Sequence, residues 1–210
     1  MRPFQTMVAR DGYQVCLFPM TDMYMSQDEG GDYSHAGTYN LDFLGWSNGA
    51  RVYNCPIYAP CDLKCVDIFD SSSNTRVWES LYPVHLADGT IDYLTIYFSH
   101  DNNPLFNVGD ICRQGGLIAH TGTTGYVTGD HTHTGTGKGR YQGFTQRSSG
   151  NWDLTNRIHY WDATYVNDTV IVEGYGHDWR IYSTPSPTPP NYKKSKYKFN
   201  MFSWIFKENR

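Results

Sequence analysis

At 210 residues and a formal net charge of -4, the chain is long enough for one sizeable domain, too short for two full ones, and too acidic for general nucleic-acid binding. Its 17 Tyr, 10 Phe, 6 Trp, 20 Gly and 10 Pro, with few helix-forming runs, favour strands and turns over long helices. The five cysteines are odd in number, so no complete disulfide framework is implied, and no window is apolar for long enough to span a bilayer.

The first six residues carry one positive charge with no apolar run behind it, so no secretory signal is expected. Residues 1–30 read as a lead-in strand around residues 15–18, followed by a polar loop that ends near Asp32. In residues 34–43 a histidine, His35, precedes Gly37, and Leu41 and Phe43 alternate with Asn40 and Asp42 as on a strand. Further strands are expected over residues 52–55, 57–60 and 63–69, where Pro60 suits a strand edge. Cys55, Cys61 and Cys65 lie close enough in sequence to suggest a thiolate site, but they lack paired Cys-x2-Cys spacing, and buried free thiols are expected instead.

Residues 71–76 read as a turn before a strand that begins at Val77. Residues 91–100 then alternate, with apolar side chains at 91, 94, 96 and 98, and end at His100. Gly109-Asp110 marks a turn between two short strands. From Gly122 to His133 a run of glycines and threonines leads to His131 and His133, which on a strand would face the same side. Two imidazoles so placed can converge on one atom, although His-x-His alone is a weak sign of metal binding. Residues 134–139 read as a loop and 139–157 as an inserted polar loop, a candidate cleft wall. Strand character returns over 158–166 and 169–172.

A stiff proline-rich linker occupies residues 183–190. Residues 191–210 hold six Lys or Arg against the single acid Glu208, so this tail is near +5 and the rest of the chain near -9. Interleaved aromatics suit it to an anionic wall or membrane surface, and a disordered or partner-docked terminus fits the same composition equally well. The expected organisation is therefore a domain over 1–182, a linker over 183–190 and a basic aromatic tail over 191–210.

The pattern Gly122-x-Thr124-Gly125-x-x-Thr128-Gly129-x-His131-x-His133 resembles the signature of the LytM/lysostaphin-type zinc endopeptidases, the M23 family. Four further segments match in the same order. His35 and Asp42 correspond to the family's first zinc-binding His and Asp, here with six residues between them where three are common. The phrase over residues 57–66 is similar to the family's apolar-Ala-Pro turn and following strand. Residues 97–100, ending in His100, and residues 108–119, with Val108-Gly109-Asp110, resemble two later segments.

The resemblance implies an all-β domain, mainly antiparallel, with loop insertions that form a groove over a zinc ion. It implies zinc ligation by His35, Asp42 and His133, with Asp42 taken in preference to Asp32. Two nitrogens and one oxygen from the protein leave one position of a catalytic zinc open. His131 would then act as general base, with His100 as its companion. The implied activity is hydrolysis of peptide cross-links in bacterial peptidoglycan. With no signal peptide and a cationic tail, the expected setting is a phage product acting outside the host cytoplasm. It would be a tail-tip wall hydrolase that meets other tail proteins through residues 191–210. A released endolysin and a catalytically silent tail module are the alternatives.

Overall fold

The computed structural model describes residues 1–184, and most of the expected linker and the whole basic tail lie outside the described residues. Strand-forming runs fold as expected into a nearly all-β structure. Among the described residues its helical content is one four-residue α-helix, Tyr160–Ala163, and one 3-10 turn, Tyr33–His35.

The main sheet has ten strands. Its continuous path runs from Ile111–Cys112 through Leu63–Asp70, Thr75–Ser80, Leu94–Phe98, Thr132–Lys138, Leu41–Ser47 and Asp22–Gln27 to Val170–Val172. Ala50–Val52 and Arg157–Ile158 pair beside this path. Neighbours are antiparallel except Val170–Val172, which lies parallel to Asp22–Gln27.

Alternation in Leu94–Phe98 does not mark one wet face, because all five residues are buried. Leu94, Ile96 and Phe98 enter the main core with Phe43, Trp78 and Tyr160. Tyr97 packs on the other face with Val77 and Leu154, covered by Phe144 and Tyr141. Each such side chain contributes about 1.5–3 kcal/mol on burial, so this strand is anchored from both sides where it leads into His100.

Two expectations of local structure are corrected. Residues 134–138, read as a loop from their glycines, continue the strand Thr132–Lys138 in the middle of the sheet. The glycines serve close approach rather than flexibility. A Cβ on Gly135 would lie 2.9 Å from Asn40 Oδ1 and from Tyr97 Cε1, and one on Gly137 would lie 3.0 Å from the Asn156 amide. The stretch read as a strand over 158–166 instead turns into the short helix, which places Tyr160 and Ala163, three positions apart, into the core. Residues 139–157 carry a small hairpin, Phe144–Gln146 with Trp152–Leu154, which walls the cavity described below.

Candidate metal centre

Asp42 and His133 are direct partners across the central pair of strands. That register brings Asp42 Oδ1 to 2.9 Å from His133 Nδ1. On the other side of Asp42, Met25 pairs with Phe43 and Gln27 with Asp42, leaving Ser26 as the extra residue of a β-bulge. Such bulges re-aim side chains beside functional sites. His35, in the 3-10 turn before the strand, reaches in from the third side and is fully buried. Its Nε2 lies 3.1 Å from both Asp42 Oδ1 and His133 Nδ1.

These three atoms form a near-equilateral triangle, and hydrogen bonding alone does not account for it. His35 Nδ1 is 2.9 Å from the carbonyl oxygen of Asp28. A carbonyl only accepts, so Nδ1 carries the proton and the neutral ring turns a lone pair on Nε2 toward the carboxylate. One proton on His133 Nδ1 would satisfy the contact with Asp42 and still leave that lone pair facing a carboxylate oxygen. A cation satisfies all three donors together. Ligands at 2.0–2.1 Å around tetrahedral zinc stand about 3.3 Å apart, close to the observed spacing. Two imidazoles and one carboxylate are also a donor set that suits zinc, so the residues fit the metal that the sequence resemblance implies. Among the described residues, His35, Asp42 and His133 are the one group of three His, Cys, Asp or Glu with ligand atoms this close, all within 4.8 Å of one another.

Burial opposes ionisation of Asp42, but the contacts with His133 and His35 outweigh it, so its carboxyl is held well below the usual range. Burial lowers His133 despite the attraction of Asp42.

Two more imidazoles flank the triangle. His131 Nδ1 donates to the carbonyl of Gly129 at 2.8 Å, which leaves Nε2 as the free lone pair, 3.6 Å from Asp42 Oδ2. His100 Nδ1 donates to the carbonyl of Thr124 at 2.8 Å, so its Nε2 is likewise unprotonated. The rings of His100 and His131 are 4.7 Å apart. Burial, and next the neighbouring His131, push His100 down to about 4. His100 has a φ of 76°, an uncommon conformation for a non-glycine residue that turns the chain out of the strand toward the site.

The five sequence-predicted site residues therefore meet in one place. Beside them lies a cavity of about 360 Å³, lined by His100, His131 and His133 and walled by Phe69, Phe144 and Trp152. Sequence reasoning missed the three carbonyls, of Asp28, Thr124 and Gly129, that fix the ring tautomers. Main-chain acceptors leave no residue signature, although Thr124 and Gly129 fall within the glycine-threonine run. The expected free thiols are found: all five cysteines are free and buried, and burial pushes Cys55, Cys65 and Cys112 up to about 11.

No protein-family model matches the sequence. The chain is similar to a phage morphogenesis protein. It is 38% identical over 180 residues to "Morphogenesis protein 1" of Bacillus phage B103, a match that covers 84% of this chain and 47% of that protein. The chain thus spans about half the length of that curated relative. Among solved structures it is similar to the antimicrobial peptidase lysostaphin from Staphylococcus simulans, with a TM-score of 0.44 and 15% identity, covering 65% of each chain. The M23 metalloprotease pseudoalterin, from the deep sea, gives a TM-score of 0.38 and 14% identity, covering 72% of this chain and 98% of that one.

Proposed function

We propose that the protein is a zinc-dependent endopeptidase that hydrolyses peptide cross-links of bacterial peptidoglycan, acting from a phage virion at the tail tip. The observation that carries this reading is the convergence of three metal-ligating atoms, His35 Nε2, Asp42 Oδ1 and His133 Nδ1, beside two further imidazoles with free Nε2 atoms. The ordered M23-like motifs support the reaction class, and similarity to a phage morphogenesis protein supports the phage setting.

His35 Nε2, Asp42 Oδ1 and His133 Nδ1 would hold the zinc. When bound, the metal supplies Lewis acidity to the scissile carbonyl and to the attacking water. His131 Nε2 can take the proton from that water and return it to the leaving amine, because the hydrogen bond to Gly129 keeps its proton on Nδ1. His100, neutral at physiological pH, offers a second acceptor on the same side of the cavity. The walls formed by the Phe144–Gln146 and Trp152–Leu154 hairpin limit water access and guide an extended peptide. Residues 191–210 would attach the enzyme to the virion or to the wall.

The test combines elemental analysis of the purified chain with mass spectrometry of fragments released from isolated walls of several cross-link types. The expected result is about one zinc per chain and conversion of cross-linked dimers to monomers bearing a new amine. Zinc binding without cleavage of any wall would make the protein a metal-stabilised tail module instead.

A further inference from the structure

A line of hydroxyls crosses the cavity floor away from the metal centre. Ser73 Oγ lies 2.6 Å from Asp70 Oδ2 and 2.7 Å from Thr75 Oγ1. Thr75 Oγ1 in turn lies 2.7 Å from Ser99 Oγ. All four residues line the cavity that His100, His131 and His133 border, and Ser99 immediately precedes His100 in the chain. Thr75 and Ser99 are 5% and 3% exposed, so water does not compete freely for their protons.

Each hydroxyl has one proton to give, and the carboxylate fixes where every one of them goes. Hydrogen bonds from Ser73 and Ser72 hold Asp70 below its usual range against the opposing effect of burial, so it accepts and does not donate. Ser73 therefore spends its proton on Asp70. Thr75 must donate to Ser73, and Ser99 must donate to Thr75. The proton of Ser99 is then committed, and its oxygen presents only lone pairs to the cavity. No other described group donates a hydrogen bond to Ser99 Oγ.

We propose that Ser99 Oγ is an acceptor-only specificity contact for a main-chain N–H of the peptide substrate beside the scissile bond, with its polarity set from a distance by Asp70 through Ser73 and Thr75. This rests on the peptidase reading above and adds to it a selection rule. The floor favours a ligand that donates a hydrogen bond and disfavours one that presents oxygen at the same place. Ser99 touches the substrate, whereas Asp70, Ser73 and Thr75 are positioning residues.

The experiment measures binding apart from turnover. Zinc-loaded full-length chain carrying His131→Ala is titrated with a soluble cross-link peptide and with analogues that each replace one amide N–H by an ester oxygen. One analogue is expected to bind about tenfold more weakly than the amide, the scale of one hydrogen bond. Adding Ser99→Ala should weaken the amide to match that analogue and abolish the discrimination, with zinc content unchanged. Asp70→Asn keeps Ser99 in place but lets the side-chain amide donate to Ser73 and reverse the line, so discrimination should shrink or invert. If every analogue binds like the amide, or if discrimination survives both substitutions, the inference is wrong. Cleavage of walls by the parent chain alongside that result would leave the peptidase reading standing. Absence of both cleavage and peptide binding would remove the two together.

Discussion

At the sheet centre, His35 Nε2, Asp42 Oδ1 and His133 Nδ1 converge on one spot, while the segment after residue 158 brings two other histidines against acids at the Asp28–Glu29 turn with a different result. There His159 Nδ1 meets Glu29 Oε2 at 2.6 Å and His177 Nε2 meets Asp28 Oδ1 at 2.8 Å. Tyr39, His159, Trp161 and His177 stack in sequence, with ring centroids 4.2, 4.8 and 3.9 Å apart. Each imidazole has its own carboxyl partner and its faces covered, so nothing is left to converge on a cation. The two regions use the same residue types. What separates them is whether main-chain carbonyls take up the ring protons and leave the opposite nitrogens aimed inward, as Asp28, Thr124 and Gly129 do for His35, His100 and His131. Asp28 joins the two regions, because its carbonyl orients His35 while its carboxylate receives His177.

Removing a member of the convergent set should break the contrast outright. Asp42→Ala is expected to reduce bound zinc from about one per chain to none at chelator concentrations that the parent survives, and to abolish wall cleavage. Asp32→Ala should keep the metal, and if it loses zinc instead, the ligand assignment across the long interval after His35 is wrong. His131→Ala is a finer cut within the same region. It should retain zinc and lose on the order of 10² to 10⁴ in rate, measured on a soluble cross-link peptide. Loss of zinc from this variant would make His131 a ligand.

The convergent region was the more legible in the sequence, for a physical reason. Strand periodicity places His131 and His133 on one side, and cross-strand register sets Asp42 opposite His133, so side-chain types at fixed spacing carry most of that geometry. The linked pair at Asp28 was not legible. His159 and His177 reach their partners from a turn and an irregular segment that obey no period, and the orienting groups are carbonyls common to every residue. The same limit explains the misread strand at residues 134–138. Glycine marks a loop when it supplies a positive φ, but Gly135 and Gly137 serve instead to let Tyr97, Asn40 and Asn156 approach. The cavity floor was hidden likewise, since the serines near Asp70 read only as a turn until Ser73, Thr75 and Ser99 came into line.

If Asp28 couples the two regions, loosening the stack should reach the metal in attenuated form. His177→Ala is expected to weaken zinc affinity by about tenfold, the lower end for groups that orient a ligand from outside, read by competition with a chromogenic chelator. His85→Ala is the control, because His85 pairs with Asp11 and touches neither region. Equal zinc affinity in parent and His177→Ala would confine the stack to a structural role.

The last effect expected is on stability, and it asks whether the second region is charged at all. Burial, reinforced by the neighbouring charges of Asp28 and Asp153, pushes Glu29 up to about 8 from its ordinary 4.5. At neutral pH its carboxyl then keeps a proton and donates it to His159 Nδ1, which makes the contact a neutral hydrogen bond rather than an ion pair. Between the two values the folded chain holds a proton that the unfolded chain has released, so stability falls as pH rises through this window and the loss is complete above about 8. Glu29→Gln cannot release that proton, and its stability should decline less between pH 5 and 8.5 than that of the parent. Urea midpoints of zinc-loaded protein across this range measure the difference, and the other titrating groups cancel between the two chains. Parallel curves would mean that Glu29 titrates alike in the folded and unfolded chains and that burial does not hold its proton.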